Sequence, residues 1–301
     1  MKIKLLSHAS VIIKTSDCKI LTDPWYGSSV FMNSWSLHPK PNINLKDLDE
    51  VTHLFISHEH PDHFNFPTLK SLSANFKKKV TILVQKNNSN RMPKVLKSAL
   101  GFEKIILCEN DKKYNLTNET SIQINQYGIL PDSSLAIFNK DKVILNINDC
   151  ELNSKDCKIL LKSLKKVDYI LNQFSIAGYR GNWDFDKRLK LNSKQILDNM
   201  INNHRDLKCN VTIPFASFIY FSDNDNRYLN KYTNKIDKVY ERFKNEKLNI
   251  KILYLEDETE IDKSYNSMNA LEKFKSADKI IDNLPYRNIP KKNFEDLKKY
   301  Y

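Results

Sequence analysis

The sequence feature that most constrains the fold is a cluster of three histidines and one aspartate directly after a buried strand. Residues Val51–Ser57 are an apolar run of the kind that forms a buried strand, and His58-Glu-His-Pro-Asp-His63 follows without a gap. The spacing of apolar residues in Phe66–Ala74 then predicts a helix, with a proline near its start. A strand, a polar cluster and a helix in this order indicate a functional site at a strand end rather than a histidine-rich surface turn.

The cluster has the residue types and spacing of a metal site. His58 and His60 leave the strand two residues apart, so a turn at Pro61 allows both imidazoles to face one point. Asp62 and His63, at the start of the following helix, can face a second point nearby. Imidazole and carboxylate ligands suit zinc, iron or manganese, and an open coordination position allows such an ion to activate water or dioxygen. We therefore predict that the cluster binds metal.

The rest of the chain predicts one globular unit of mixed strands and helices. With 301 residues, of which 41% are hydrophobic and 28% charged, the chain can bury a core without disulfides. Its five scattered cysteines include no Cys-x-x-Cys pair, which indicates reduced thiols. No apolar run approaches the roughly 18 residues that cross a bilayer, and no signal-peptide pattern is visible, so we expect a cytoplasmic protein without a membrane partner. We expect residues 1–263 to form the catalytic domain and residues 264–301 a basic helical appendage packed on it.

The net charge of +12 suggests an anionic partner. Nucleic acid, an anionic membrane surface or an anionic small molecule would each suit this charge, and a general bias of the composition toward lysine would also produce it. We find no interleaved aromatic and basic pattern and no recognition module, which argues against nucleic acid. We therefore expect an anionic small-molecule substrate.

With these motifs in view, the sequence resembles the metallo-β-lactamase superfamily. The resemblance is carried by His58-x-His60-x-Asp62-His63 after a buried strand, by Ser7-His-Ala-Ser-Val-Ile-Ile13 and by Leu21-Thr-Asp-Pro-Trp25. It implies an α/β fold, a four-layer αββα sandwich with a metal site at one edge of its two sheets. It also implies that Asp23 supports the metal-binding loop, as metal sites need such orientation.

Four motifs further along the chain are Ile144–Cys150, Asn172–Tyr179, Pro214–Phe218 and Asn226–Tyr228. They narrow the resemblance to the catalytic region of the CMP-N-acetylneuraminate and UDP-N-acetylmuramate hydroxylases, over about residues 3–235. The resemblance implies that Asp149, at a strand end, bridges two metals or ligates one, and that Asp62 and Asp149 are the catalytic carboxylates.

Those hydroxylases also carry an iron–sulfur Rieske domain, whose Cys-x-His and Cys-x-x-His pairs this sequence lacks. Either a separate electron-transfer protein supplies electrons, or the chemistry differs.

The sequence departs from the superfamily at two expected histidines. One is expected near residues 128–132, where Asp132 stands, and the other after Phe218, where Asp223 stands. Carboxylates in their place favour harder ions, so we expect one or two iron ions as the cofactor, with zinc or manganese as the alternative. A degenerate site with one metal or none is the other interpretation. The predicted metal ligands are His58, His60, Asp62, His63, Asp149 and Asp223.

A further group of residues is predicted to support the site or to bind substrate. His8 follows the alternation of the first strand and is either near the site or a core histidine. Arg180 suits a phosphate group, although arginines in such positions are more often solvated. The whole group is His8, Asp23, Asp132, Tyr179, Arg180 and Tyr228.

Two functions follow from the resemblance and the predicted ligands. The first is an oxygenase in which iron activates dioxygen to hydroxylate an anionic amino sugar, free or linked to a nucleotide. The second is a hydrolase in which two zinc or manganese ions activate water for attack on a phosphodiester, lactone or amide. The length of the resemblance favours the oxygenase.

Overall fold

Two β-sheets packed face to face form the centre of the structure, a computed structural model that describes residues 1–87, 89, 91–127, 132–178 and 185–288. The helices are α1 (Phe66–Ser71), α2 (Ala74–Lys79), α3 (Arg91–Ser98), α4 (Ser154–Leu164), α5 (Phe185–Asp206), α6 (Ile236–Asn245) and α7 (Ser267–Asp278). The strands are β1 (Lys2–Ser7), β2 (Ser10–Lys14), β3 (Lys19–Thr22), β4 (Trp35–Leu37), β5 (His53–Ile56), β6 (Thr81–Gln85), β7 (Lys104–Cys108), β8 (Lys112–Asn115), β9 (Thr120–Tyr127), β10 (Asp132–Asn139), β11 (Lys142–Asn148), β12 (Tyr169–Gln173), β13 (Val211–Phe215), β14 (Ile219–Phe221) and β15 (Glu258–Glu260).

The two large sheets each combine antiparallel and parallel strands. The first has the order β15-β1-β2-β3-β5-β6-β7, and the second has the order β13-β12-β11-β10-β9-β8. In the first sheet β3, β5, β6 and β7 are parallel, and in the second β11, β12 and β13 are parallel. A short separate ladder joins β14 to β4.

Apolar side chains fill the space between the sheets and cover both outer faces. Between the sheets, Ile13 and Phe55 of the first sheet pack with Ile137 and Leu171 of the second. On one outer face a second cluster joins the first sheet to α1, α2 and α3, and on the other outer face a third cluster joins the second sheet to α4. Helix, sheet, sheet and helix therefore stack in four layers, which confirms the predicted αββα sandwich.

The strand directions decide where the functional loops lie. The carboxyl ends of parallel strands open at one edge of a sheet, so the loops after β3 and β5 are neighbours. Strand β1 is antiparallel to β2, which is antiparallel to β3, so the turn after β1 opens at the same edge. In the second sheet the loop after β11 opens beside the end of β12.

The segment 2–14 contains a turn that the alternation of its residues does not reveal. It forms two strands, β1 and β2, joined at His8 and Ala9, with an irregularity in pairing between Leu5 and Ser7. The expectation that His8 continues a single strand is therefore wrong, because the irregular pairing ends the ladder at Ser7 and frees the next side chain to face the sheet edge.

The end of the described chain packs on the main core. Helix α7 buries Ala270, Leu271 and Phe274 in the cluster between the sheets, and β15 pairs with β1. The predicted division between residues 1–263 and 264–301 stays a prediction, and residues 289–301 lie outside the described part. Among the described residues, no helix combines the length and the apolar character needed to cross a membrane.

Candidate metal centre

Imidazole nitrogens and carboxylate oxygens converge at the edge where the parallel strand ends meet. The loop after β5 carries residues 58–63, and Asp149 follows β11 directly. Asp132 begins β10, and His8 lies in the turn between β1 and β2. The ligand atoms form three groups whose members all lie within 4.8 Å of one another: His58, His60 and Asp132; His8, Asp62 and His63; and His58, His63 and Asp149.

The first group is open to solvent on one side. The Nε2 atom of His58 lies 2.8 Å from Nδ1 of His60 and 3.9 Å from Oδ1 of Asp132. His58 is buried, Asp132 is partly buried and His60 is exposed. An ion held here would therefore have protein ligands on its inner side and room for a further ligand on its outer side.

The second group is enclosed. The Nε2 atoms of His8 and His63 each lie 3.2 Å from Oδ2 of Asp62, and all three side chains are buried. In this group the carboxylate of Asp62 is the common neighbour of two imidazoles.

Asp149 lies between the two groups. Its Oδ2 atom is 3.7 Å from Nε2 of His58 and 3.6 Å from Nε2 of His63. A carboxylate at nearly equal distances from a ligand atom of each group has the position of a ligand shared by two ions.

Asp23 orients the loop that carries the histidines. Its Oδ2 atom lies 3.0 Å from Nδ1 of His63, and its Oδ1 atom accepts a 2.8 Å hydrogen bond from the backbone N–H of Ser57. A carboxylate that accepts the Nδ1 proton of an imidazole leaves Nε2 free and aims it at the metal. The structure thus places Asp23 in the supporting position that the resemblance implies.

Two supporting side chains, Ser57 and Asn148, were not predicted from the sequence. The Ser57 hydroxyl donates to Oδ2 of Asp23 at 2.8 Å and lies 3.0 Å from Nδ1 of His58, so it links the two residues. Asn148 donates from Nδ2 to the same Asp23 oxygen at 2.7 Å, with a left-handed backbone (φ 62°) that asparagine tolerates. Both residues lie directly beside a predicted ligand, and that adjacency is the only sequence signal that could have identified them.

The buried charges of the second group depend on one another. Burial opposes protonation of His63, but the carboxylates of Asp62 and Asp149 outweigh it and raise the pKa of His63 well above its usual range. Burial likewise opposes ionisation of Asp62, but His63 and His8 outweigh it and lower its pKa well below the usual range. An ion bound here would take the place of the imidazole proton, because a ligating imidazole nitrogen cannot hold one.

The pKa values of His58 and Asp132 in the first group are shifted in ways that favour metal binding at neutral pH. Burial, and then the neighbouring His63, lower the pKa of His58 to about 4, so His58 is neutral at pH 7. Burial, and then the charge of Asp149, raise the pKa of Asp132 to about 6. A neutral imidazole and a carboxylate that ionises below neutral pH are both ready to bind a cation at pH 7.

Unsatisfied polar atoms provide the test of whether a metal fits. Buried polar atoms in proteins are normally hydrogen-bonded, and exceptions call for an unseen ion or water. Within the described residues, three buried ligand atoms of this centre have no hydrogen-bond partner: Oδ1 of Asp62, Nε2 of His63 and Oδ1 of Asp149. The donor set therefore fits divalent metal ions.

Four other predicted residues lie apart from these groups or outside the described part. Asp223 is buried after β14, where Oδ1 accepts a 2.8 Å hydrogen bond from the backbone N–H of Asp225, and it belongs to none of the three groups. Tyr228 is 40% exposed. Tyr179 and Arg180 lie outside the described residues.

A cavity of about 380 Å³ lies beside the metal-binding edge. Cys150 and Glu151, which follow Asp149, line it together with Asn172 and Gln173 at the end of β12. Helix α5 closes its other side with further amide side chains, among them Asn192, Gln195 and Asn199. Sequence reasoning missed this cavity, because strand ends and a helix far apart in the chain form it.

Comparisons with known proteins agree with the geometry. Residues 2–133 match the family model described as the beta-lactamase superfamily domain. The chain is 26% identical over 253 residues to the cytidine monophosphate-N-acetylneuraminic acid hydroxylase of Asterias rubens, which covers 79% of this chain and 37% of that protein. The corresponding mouse enzyme is 24% identical over 246 residues, with 79% and 42% covered. The chain thus spans about two fifths of the length of these relatives.

Solved structures share the fold. CmlA, a diiron β-hydroxylase from Streptomyces venezuelae, aligns with a TM-score of 0.61 and 14% identity over 86% of this chain and 54% of that protein. An isothiocyanate hydrolase from Delia radicum gut bacteria aligns with a TM-score of 0.63 and 14% identity over 86% of this chain and 99% of that protein. The fold therefore occurs in both a hydroxylase and a hydrolase. Together with the family match over residues 2–133, these alignments show that the chain has the metallo-β-lactamase fold.

Proposed function

We propose that this metalloenzyme is a non-haem iron oxygenase that hydroxylates an anionic amino sugar, free or linked to a nucleotide. The observation that carries the proposal is the ligand set of the first group, in which His58 and His60 supply two imidazoles and Asp132 supplies one carboxylate. Two histidines and one carboxylate with open positions are the typical ligand set of non-haem iron(II) oxygenases. Similarity to N-acetylneuraminic acid hydroxylases along 79% of the chain supports the same reaction class.

The residues around this group hold and orient the reacting centre. Iron bound to His58, His60 and Asp132 would supply the activation of dioxygen. Ser57 fixes the ring of His58 through Nδ1, and the exposed side of His60 leaves an approach for the substrate. Asp149, close behind His58, would hold negative charge next to the iron.

The cavity beside Asp149 is the proposed substrate pocket. Its described lining carries carboxamides such as Asn172, Asn192 and Gln195, with carboxylates but no lysine or arginine. Carboxamides both donate and accept hydrogen bonds, as sugar hydroxyls do. We therefore place the hydroxyl-rich part of the sugar in this cavity, and Arg180 remains the proposed contact of the anionic group. A separate electron-transfer protein is the proposed source of electrons.

The first experiment is elemental analysis of protein purified without oxygen. An oxygenase predicts about one or two equivalents of iron, and His60→Ala should lose the ion of the first group. His60 is exposed, so the variant keeps the core intact. A matched control is His53→Ala, which removes a histidine of the preceding strand outside the ligand groups. Full iron occupancy in His60→Ala would refute this ligand assignment.

The second experiment separates oxygenase from hydrolase. With iron and a chemical reductant, CMP-N-acetylneuraminate as the test substrate should drive oxygen consumption above the rate without substrate. Turnover of any substrate in the absence of oxygen, with zinc or manganese bound, would overturn the proposal.

A dinuclear hydrolase is the second candidate. Asp149 lies 3.6 to 3.7 Å from ligand nitrogens of both groups, and a carboxylate shared by two ions is a feature of centres that activate a bridging water. Two zinc or manganese ions in the purified protein would favour this candidate.

A further inference from the structure

His8 is a buried imidazole whose Nε2 atom faces the metal-binding residues. It is 3% exposed, and its Nε2 atom lies 3.2 Å from Oδ2 of Asp62. From the sequence alone it is either a core histidine or a residue near the site. Its place in the turn after β1 brings it to the metal-binding edge.

The distances from the two imidazoles to Asp62 are those found between neighbouring ligands of one ion. Two imidazole Nε2 atoms, from His8 and His63, each lie 3.2 Å from the same oxygen of Asp62. For metal–ligand bonds of about 2.0 to 2.2 Å, neighbouring ligand atoms in tetrahedral or octahedral geometry are separated by about 2.8 to 3.6 Å. The observed separations fall in this interval, and Nε2 of His63 has no hydrogen-bond partner in the described part of the chain.

Asp223 lies outside this group of ligand atoms, and its Oδ2 atom is buried without a hydrogen-bond partner among the described residues. One of its carboxylate oxygens accepts the backbone N–H of Asp225, which ties the side chain to its own turn. It is absent from every group of ligand atoms in the described part of the chain. The imidazole that the structure groups with Asp62 and His63 is that of His8, in the turn between β1 and β2.

We propose that His8 is a direct ligand of a second metal ion, together with Asp62, His63 and the shared carboxylate of Asp149. The proposal rests on the proposed function only in requiring that the centre holds metal, and it holds for an oxygenase or a hydrolase. It gives the second ion two imidazoles and two carboxylates, a closed set in contrast to the open first group.

Aromatic packing and one backbone hydrogen bond hold His8 in position. Trp25 and Trp35 contact its ring edge to face, with centroids at 5.6 and 6.3 Å. Its backbone carbonyl accepts a 2.9 Å hydrogen bond from the N–H of Ala216, which follows β13. A ligand held by packing and by a backbone bond loses little freedom when the ion binds.

The test counts metal ions and measures their affinities in the full chain, and it does not use enzyme activity. Metal-free protein is titrated with zinc in competition with a chromophoric chelator, and bound zinc is then measured by elemental analysis. The wild type should bind two ions. His8→Ala should lower the affinity for one ion more than 100-fold, beyond the 10- to 100-fold typical of an outer supporting residue, and leave the other within about threefold.

Matched variants separate ligation from general damage. His38→Ala removes another buried imidazole, paired with Asp278 away from the centre, and should keep both ions. Asp223→Asn should also keep both. His8→Gln retains an amide that can donate to Asp62, so a residue that only positions Asp62 would tolerate it, whereas a ligand should show at least a tenfold loss. Circular dichroism of each metal-free variant confirms that it is folded.

The outcomes distinguish this inference from the proposed function. Two ions in His8→Ala with unchanged affinities would overturn the inference alone. Unchanged affinities in His8→Gln, or loss of the second ion in Asp223→Asn, would do the same. A wild type that binds no ion would overturn the proposed function as well.

Discussion

At the scale of single residues, Asp132 stands where the superfamily commonly supplies a third imidazole, and its Oδ1 atom lies 3.9 Å from Nε2 of His58. Three imidazoles suit zinc, whereas two imidazoles and a carboxylate suit iron(II). A change of one side chain should therefore change the preferred metal without changing the fold.

We expect Asp132→His to raise the zinc-to-iron ratio of the purified protein at least tenfold, about 1.4 kcal/mol of relative affinity. The measurement is elemental analysis of protein from cells supplied with both metals. Asp141→His, which adds a histidine in the exposed turn between β10 and β11, is the control. An unchanged ratio in Asp132→His would argue against Asp132 as a ligand.

Asp23 tests the supporting network. Its carboxylate contacts His63, Ser57 and Asn148, each within 3.0 Å. Asp23→Asn keeps the size of the side chain but replaces one acceptor oxygen with a donor, so the ring of His63 loses its orientation. We expect a 10- to 100-fold loss of metal affinity, measured by the same zinc competition. Asp17→Asn serves as the control because Asp17 is exposed and accepts a hydrogen bond from the Thr120 hydroxyl, outside the metal centre. Equal affinities for the two variants would contradict the role of Asp23.

At the scale of elements, helix α5 carries a buried histidine that should make stability depend on pH. Nδ1 of His204 lies 2.8 Å from the Thr212 hydroxyl, and burial, and then the charge of Arg205, lower its pKa to about 4. An unfolded histidine has a pKa of about 6.5, so the unfolded state takes up a proton first as the pH falls. This contribution to stability is complete above pH 6.5 and is lost as the pH falls toward 4.

We expect the free energy of unfolding to fall by about 2 kcal/mol between pH 7 and pH 5 through His204 alone. Urea unfolding of metal-free protein at several pH values measures the decrease: a chelator removes the contribution of metal binding, and comparison with a His204 variant cancels the titration of the other histidines. His204→Asn keeps an oxygen that can accept from Thr212 and should show a decrease smaller by that amount. The same pH dependence in both proteins would exclude His204 as the cause.

At the scale of the whole molecule, the metal centre joins the two sheets. His58 and His63 follow a strand of the first sheet, whereas Asp132 and Asp149 flank strands of the second. Ions that bind only the folded chain stabilise it by mass action, by about 2.7 kcal/mol when the free ion is at 100 times its dissociation constant.

Metal removal should therefore lower the unfolding temperature by about 4 °C for each ion, because the entropy of unfolding scales with the 301 residues of the chain. Thermal unfolding of the loaded protein with and without a chelator measures the change. The variant His58→Ala, which removes a ligand common to two of the groups, should show a smaller change. An unfolding temperature that does not respond to the chelator would contradict a bound ion that joins the sheets.

Much of the architecture was predictable, because its signals are local. The buried run before His58 became β5, and the apolar spacing that begins at Phe66 became α1; both signals lie within a few residues of chain. They predicted a strand, a polar loop and a helix in this order. The superfamily resemblance predicted the four-layer αββα sandwich, which the structure confirms. The strand β8 was missed, since Lys112–Asn115 is mostly exposed and carries no apolar alternation.

The sequence by itself determined which residue types are available to bind metal: the cluster at 58–63 is contiguous, and Asp149 directly follows a strand. Only the tertiary structure decided how these residues are grouped. It brought His8 within 3.2 Å of Asp62 and kept Asp223 in its own turn. The physical reason is that ligand distances depend on strand order, on pairing irregularities such as that before His8, and on left-handed residues such as Asn148. These features are fixed by packing between segments far apart in the chain, and no local pattern records them.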